Sequence, residues 1–390
     1  VDALAYFEQL GDTVDQTWTA AGRRADQLAE LATTALLDIP VPSDLTASTV
    51  LGLLAEGSDL PKQRSSSDQF GQPPAIMYKR PDLEIQALTW MDGTTAIHQH
   101  GFDGAFRVAA GSSLHVTYQF DQSDTLADGH VVTGALAAGQ PEILWVGDVR
   151  PIVSGPEFIH ALFHLERPSV TIVVRNSSSG LPFPQYTYRL PGVGVDELYT
   201  DDRLLMRLRG LRTLHRIDQN EAVKVARQVV REHDLWTAFR LCDYWAYNFG
   251  EGSELEAIIA DLSSRGSAVS SLLEPMYAEE LRRGRLLARR GMLRQSHHRM
   301  FLALIVNLPD RRAIESAVRQ LHPDEDPGQL IADWVSELAS PEFRGISGLS
   351  MGSDQLERLQ HNLRQGESDA ALGEVAAQWS PPPLLEKLFV

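Results

Sequence analysis

The spacing of apolar and polar positions changes twice along the chain. From Leu4 to about Gly57, apolar residues recur at three- and four-residue steps, as at Trp18, Ala21, Ala25, Leu28, Ala32 and Leu36. That spacing predicts helices, broken at Pro40 and Pro42 and followed by a short helix from Leu45 to Leu54. After Pro74 the period becomes two: Leu114, Val116, Tyr118 and Phe120 share one face of a strand, and His115, Thr117 and Gln119 share the other. Strand-like runs near 75–80, 83–91, 94–99, 104–110, 113–120, 130–135, 142–147, 157–164, 169–175 and 184–190 are separated by Gly, Asp, Asn, Ser or Pro. Many short strands at such spacing predict a sandwich or barrel.

Beyond Leu190 the helical spacing returns, with helices expected near 201–215, 219–234, 236–248, 253–264, 270–294, 297–307, 310–321, 327–339, 353–365 and 368–379. No repeat of fixed period runs through them, so the pairs predict a bundle or an irregular solenoid. Residues 58–74, with Lys62, Gln63, Arg64 and three consecutive serines, have the composition of an exposed loop. The chain is therefore expected to be α+β: a helical cap over 1–70, a β-domain over 71–192 and an all-α domain over 193–390.

Composition narrows the function. With 35 basic and 52 acidic residues the formal charge is −17, which argues against nucleic acid and anionic membranes as partners. The single cysteine, Cys242, excludes a disulfide scaffold or a Cys-rich metal site and is expected to be a small buried residue. No apolar run approaches the ~20 residues that a spanning helix needs. The start Val1-Asp2-Ala3-Leu4 has no basic region followed by an apolar one, so a cytoplasmic location is expected.

The chemistry concentrates between Trp90 and Gly111. In a strand, alternate side chains point the same way, so His98 and His100 project into one interior. Two imidazoles at that spacing suit a first-row metal held at ~2.0–2.1 Å. His160 lies in a later strand-like run, Phe158-Ile159-His160-Ala161-Leu162-Phe163, from which it can close the site. His164 has the same strand parity and is a rival third ligand, or a group orienting a ligand or substrate.

This stretch resembles the first cupin motif, which runs Gly, five residues, His-x-His, three or four residues, Glu, six residues, Gly. His98, His100 and Gly111 take matching positions, Gly93 falls one residue late, and Gly104 and Ala105 stand where the Glu would be. Absence of that carboxylate is similar to the thiol dioxygenases, such as cysteine dioxygenase, which bind iron(II) through three histidines. Trp90, eight residues before the first His, and Pro168-Ser169-Val170-Thr171 after His160 also look like theirs. The resemblance covers about a third of the chain. It implies a single jelly-roll-like cupin barrel, His160 as third ligand, and iron(II) as cofactor, with Zn, Ni, Mn or Cu as alternatives. The Ser-x-His-x-Tyr run of that family is replaced by Thr171-Ile172-Val173-Val174-Arg175, so the substrate does not carry over.

Three neutral imidazoles leave open coordination positions for O₂ and a small chelating substrate. The expected function is an O₂-dependent oxygenase, with a non-oxidative metallo-cupin lyase or isomerase, or a ligand-sensing module, as alternatives. His164, Arg175 and Tyr118 are candidate catalytic groups. Trp90, Phe102, Arg107 and Trp145 are candidate pocket residues, although aromatics in strands also serve as plain core and arginines as surface groups. Asp103 and Glu157 are expected to face solvent or sit in turns.

The dense basic run Arg282, Arg283, Arg285, Arg289, Arg290 and Arg294 is expected to be a solvated helix face paired with Glu279 and Glu280. The adjacent His297 and His298 are expected to diverge on a helix. The helical half is a candidate barrel cover or homodimer interface, and the tail Pro381-Pro382-Pro383-Leu384-Leu385 is expected to dock in cis or on a partner.

Overall fold

A computed structural model of the protein describes residues 2–57, 60–63, 70–176, 183–199, 201–250, 252–349, 352–365 and 384–388. The expected helix at 368–379, the three consecutive serines of the expected loop and Pro381 to Pro383 lie outside the described residues. The chain forms two compact units, one of Val1–Tyr118, Ala138–Pro184 and Arg285–Val390, the other of Gln119–Ala137 and Gln185–Gly284. From residue 202 on, the described elements are helical as expected, but they are shared between both units rather than forming a single domain. The expected cap at 1–70 belongs to the same unit as the strands that follow it.

The larger unit opens with three helices, α1 (Ala3–Ala20), α2 (Ala25–Asp38) and α3 (Ala47–Glu56). Thr46 starts α3 with a reciprocal capping box to Thr49, which satisfies backbone donors that the first turn leaves without partners. Five strands then pair in the order β1-β2-β10-β4-β8: β1 (Pro74–Lys79), β2 (Leu83–Trp90), β4 (Gly104–Ala110), β8 (Val149–Ile152) and β10 (Ser169–Asn176). In a second sheet β3 (Ile97–Gln99), β9 (Ile159–His164), β5 (Ser113–Leu126) and β7 (Glu142–Leu144) are neighbours in that order. The short β8 was not expected, because Val149-Arg150-Pro151-Ile152 carries too few apolar positions to show an alternation.

The two-residue period of the first sheet separates two cores. Leu83, Ile85, Ala87, Ala105, Ala109, Val170, Ile172 and Val174 pack with the N-terminal helices. The alternate positions Leu88, Trp90, Phe106, Val108 and Val173 join Phe102, Leu144, Ile152 and Leu162 in a second cluster, which holds the inward side chains of both sheets. Arg107 falls on the helix-facing side. It donates to the carbonyls of Leu36 and Ile39 at the end of α2, the latter at 3.1 Å, where a cation offsets the negative end of the helix dipole by about 0.3–1 kcal/mol. Arg107 is thus a tie between helix and sheet, on the face opposite the inward cluster.

The outer face of the second sheet is met by α9 (Ser296–Asn307). Tyr118 donates its hydroxyl to the Asn307 carbonyl at 3.0 Å. The buried Arg299 donates to the carbonyls of His164 at 2.6 Å and Leu165 at 2.8 Å, at the end of β9. Burial and the neighbouring Arg167 lower the pKa of Arg299 to about 10, and its donors satisfy carbonyls that end a buried strand. The remaining helices of this unit are α10 (Arg311–Leu321), α11 (Pro327–Ala339), α12 (Arg344–Ser347) and α13 (Ser353–Gln365). Leu384, Leu385 and Leu388 of the C-terminal segment are buried.

The smaller unit contains β6 (Val131–Ala138), β11 (Tyr186–Arg189) and β12 (Val193–Asp196), with β12 antiparallel to both others. It also holds α4 (Asp202–Ile217), α5 (Gln219–Glu232), α6 (Leu235–Phe249), α7 (Ser253–Ser263) and most of α8 (Ser267–Leu287). Strand β12 was unexpected because Pro191 and Gly192 mask its start. Cys242 is buried in the apolar core of this unit, as expected. Arg282 and Arg283 pair with Glu279 and Glu280 at 2.7 and 3.8 Å, yet both arginines are buried. The expectation of a solvated face was wrong for them, because their carboxylate partners let the guanidinium groups leave water. Among the described residues, no helix is long and apolar enough to cross a membrane.

Candidate metal centre

Strand β3 is short, and its pairing with β9 places His98 directly opposite His160. His100 follows two residues on, held by a bridge to Ser154. The ligand-capable nitrogens of His98, His100 and His160 all lie within 4.8 Å of one another, and all three rings are buried. His164, four residues along β9, is not in this group. Its Nδ1 sits 2.9 Å from the hydroxyls of both Ser113 and Ser169, and its ring stacks on Trp90 at 4.5 Å.

Proton positions follow from the anchors. The Ala96 carbonyl, 2.9 Å from His98 Nδ1, accepts a hydrogen bond from that N–H and leaves Nε2 with its lone pair. Glu142 Oε1, 2.9 Å from His115 Nδ1, does the same for His115. Nε2 of His115 then accepts from His160 Nδ1 at 3.0 Å, so His160 also turns a lone pair inward. That Nε2 stands 2.9 Å from Nε2 of His100.

Burial lowers the pKa of His98 to about 4 and holds His100 and His160 well below the ordinary histidine value, which keeps all three imidazoles neutral. Glu142 is lowered to about 2, first by the His115 hydrogen bond and then by Arg150. It therefore remains a carboxylate able to orient His115.

These residues fit a metal ion. The Nε2 of His98 is buried without a hydrogen-bond partner, and an unsatisfied buried polar atom costs about 1–3 kcal/mol. Two imidazoles bound at ~2.0–2.1 Å and about a right angle to each other bring their nitrogens to about 3 Å, matching the His100–His160 separation. No carboxylate joins the trio from β4: a Cβ on Gly104 would lie 1.9 Å from the Val174 carbonyl oxygen, so that position admits no side chain. At Gly111, φ is +77° and a Cβ would meet Ser169 at 2.7 Å, which accounts for glycine where β4 turns into β5.

Around the trio stand aromatic rings. Phe102 and Phe158 lie 4.6 and 6.0 Å from His100, Phe106 lies 5.8 Å from His160, and Phe70 lies 5.2 Å from His98. Arg175 stacks its guanidinium on Phe102 at 3.8 Å, and its charge adds to the lowering of the His100 pKa. In register Arg175 is opposite Glu84 on β2.

Other expected residues stand elsewhere. Trp145 is 57% exposed, with its backbone N–H given to Asp148; it marks the turn after β7 and is not among the rings packed on the three histidines. The Tyr118 hydroxyl is taken up by Asn307, on the face of β5 opposite His115. Asp103 follows the bend before β4 but is buried rather than solvent-facing, and accepts from the Ser154 backbone at 2.9 Å and its hydroxyl at 3.2 Å. It thereby steadies the segment bridged to His100. Glu157 is exposed, as expected.

Sequence reasoning missed the Glu142–His115–His160 chain. His115 was visible on the polar face of its strand, but its partner depends on the pairing of β5 with β7, which places His115 opposite Glu142.

No protein-family model matches the sequence, and no curated protein matches it. Among solved structures, the chain is similar to KdgF from Halomonas sp., with 17% identity over 32% of this chain and 92% of that one, at a TM-score of 0.21. It is also similar to a cupin-2 domain containing protein from Shewanella frigidimarina, with 17% identity over 27% and 82% of the two chains and a TM-score of 0.18. A third is the DMSP lyase DddQ from Ruegeria pomeroyi, with 14% identity over 46% and 95% and a TM-score of 0.26.

Proposed function

We propose that the larger unit contains a metallo-cupin centre, in which His98, His100 and His160 hold one divalent transition ion for O₂-dependent oxidation of a small chelating substrate. The observation that carries this reading is the convergence of three neutral, buried imidazoles on one point, with the His98 lone pair left without a partner. Iron(II) is the ion that suits an all-nitrogen site with positions left for O₂; Zn, Ni, Mn and Cu accept similar donors. When bound, such an ion would supply Lewis acidity, redox capacity and positions for substrate and O₂.

The chain's own residues do the rest. The Ala96 carbonyl and the Glu142–His115 pair fix the tautomers and ring planes of His98 and His160, which keeps the inward nitrogens free of protons. Phe70, Phe102, Phe106 and Phe158 exclude water from the space beside the trio. Arg175 places positive charge near His100 and favours a substrate that carries a carboxylate. His164, fixed between two hydroxyls and Trp90, supports the wall of the site rather than reaching the trio.

The test pairs metal analysis of protein from its native host with oxygen consumption over a panel of thiols, amino acids and small carboxylates. About one iron per chain with substrate-dependent O₂ uptake is expected. Turnover of the same panel at full rate without O₂ would replace the oxygenase by a Lewis-acid lyase or isomerase.

A further inference from the structure

A second convergence of imidazoles lies on the helices of the larger unit. Successive side chains on a helix diverge by about 100°, so His297 and His298 in the first turn of α9 were expected to point apart. They do not. Nε2 of His297 lies 2.8 Å from Glu337 Oε2, and Nε2 of His298 lies 2.9 Å from the same oxygen. The two rings meet edge to face with centroids 4.3 Å apart, and His298 is closed off behind by Phe343 at 5.0 Å. The three donor atoms lie within 4.8 Å of one another.

We propose that His297, His298 and Glu337 form a second site, for a borderline divalent ion of the zinc class, which joins the start of α9 to the end of α11. Two imidazoles and one carboxylate are a donor set that zinc and its neighbours accept and that calcium and magnesium do not favour. The carboxylate sits in the last turn of α11, where the helix dipole adds negative potential. The side chains of His297 and Glu337 are 41% and 51% exposed, so water can complete the coordination shell and ions can enter without opening the fold. His298 is fully buried, which gives the site one donor fixed by packing beside two that face solvent. The interaction competing for these atoms is the pair of hydrogen bonds to Glu337. An ion replaces both, and adds the charge that the lone carboxylate lacks.

Zinc titration by calorimetry separates this site from the barrel centre. Wild-type protein is expected to take up two zinc ions per chain, a His98→Ala/His160→Ala variant one, and the same variant carrying Glu337→Gln none at comparable affinity, a loss of at least about 10-fold. Glu337→Gln keeps an acceptor at a half-exposed position, so the fold is preserved, and circular dichroism checks this. Calcium at the same concentration is expected to leave zinc uptake unchanged. Zinc should also raise the melting temperature of the double variant, an effect that Glu337→Gln removes. The proposal is overturned if the double variant binds no zinc, or if Glu337→Gln leaves its zinc affinity and zinc-dependent melting unchanged. Failure of the barrel reading has a different signature: one zinc in wild type, unaffected by the His98 and His160 substitutions.

Discussion

The two imidazole clusters have the same number of donors and are held in opposite ways. Between the sheets, His98, His100 and His160 are buried, with the His98 ring aimed by a backbone carbonyl and the His160 ring by the His115–Glu142 pair. On the helices, only His298 is buried, and the other two donors are half in solvent. Burial does the deprotonating in the first case, whereas in the second one carboxylate gathers the imidazoles by hydrogen bonds. Preset, buried donors suit a reaction centre, whereas half-exposed ones suffice for a structural tie.

The comparison can be broken most directly at the ligands. His98→Ala or His160→Ala is expected to reduce iron affinity by at least about 100-fold, more than any change outside the trio, as measured by competition with a chelator of known strength. Next in size, Glu142→Gln or His115→Phe is expected to weaken metal binding by about 10–100-fold with the fold intact. An unchanged affinity would mean that ring orientation is set by the strand pairing alone.

Acid stability sharpens the contrast further. Burial lowers His164 to about 3, so between about pH 6.5 and that value the unfolded chain binds a proton there that the folded chain does not. Folding stability is therefore lost as pH falls through this window, by up to about 1.4 kcal/mol per pH unit for this group. No such loss from this group arises above it. Denaturation in chelator from pH 7 to pH 4 should show a shallower slope for His164→Asn than for wild type. The smallest effect is expected for Tyr118→Phe, which removes one hydrogen bond to α9. It should cost about 1 kcal/mol by denaturant titration and leave metal affinity unaltered.

Most elements were legible because their periods are strong, as in β10, where Val170, Ile172 and Val174 face the helices while Val173 faces inward. What escaped detection were β8, β12 and α12, each only four residues long. The three histidines of the candidate centre were legible from the His-x-His spacing and a later strand histidine. The choice between His160 and His164 was not, since both have the same parity and only the register of β9 with β3 separates them. Trp145, Arg107 and Tyr118 went astray for a related reason. Residue type predicts an affinity for pockets, but which face a side chain takes, and which helix end or carbonyl it meets, is decided by tertiary packing. The convergence of His297 and His298 was hidden because Glu337 lies forty residues further on, and no local pattern announces it.

The central claim is that three imidazoles from β3, its following turn and β9 share one ion. Anomalous diffraction from crystals of iron-loaded protein at the iron edge tests it most directly. The account predicts a peak within about 2.0–2.3 Å of one ring nitrogen of each of His98, His100 and His160. A map with no peak between those rings, from protein shown to contain iron, would contradict it.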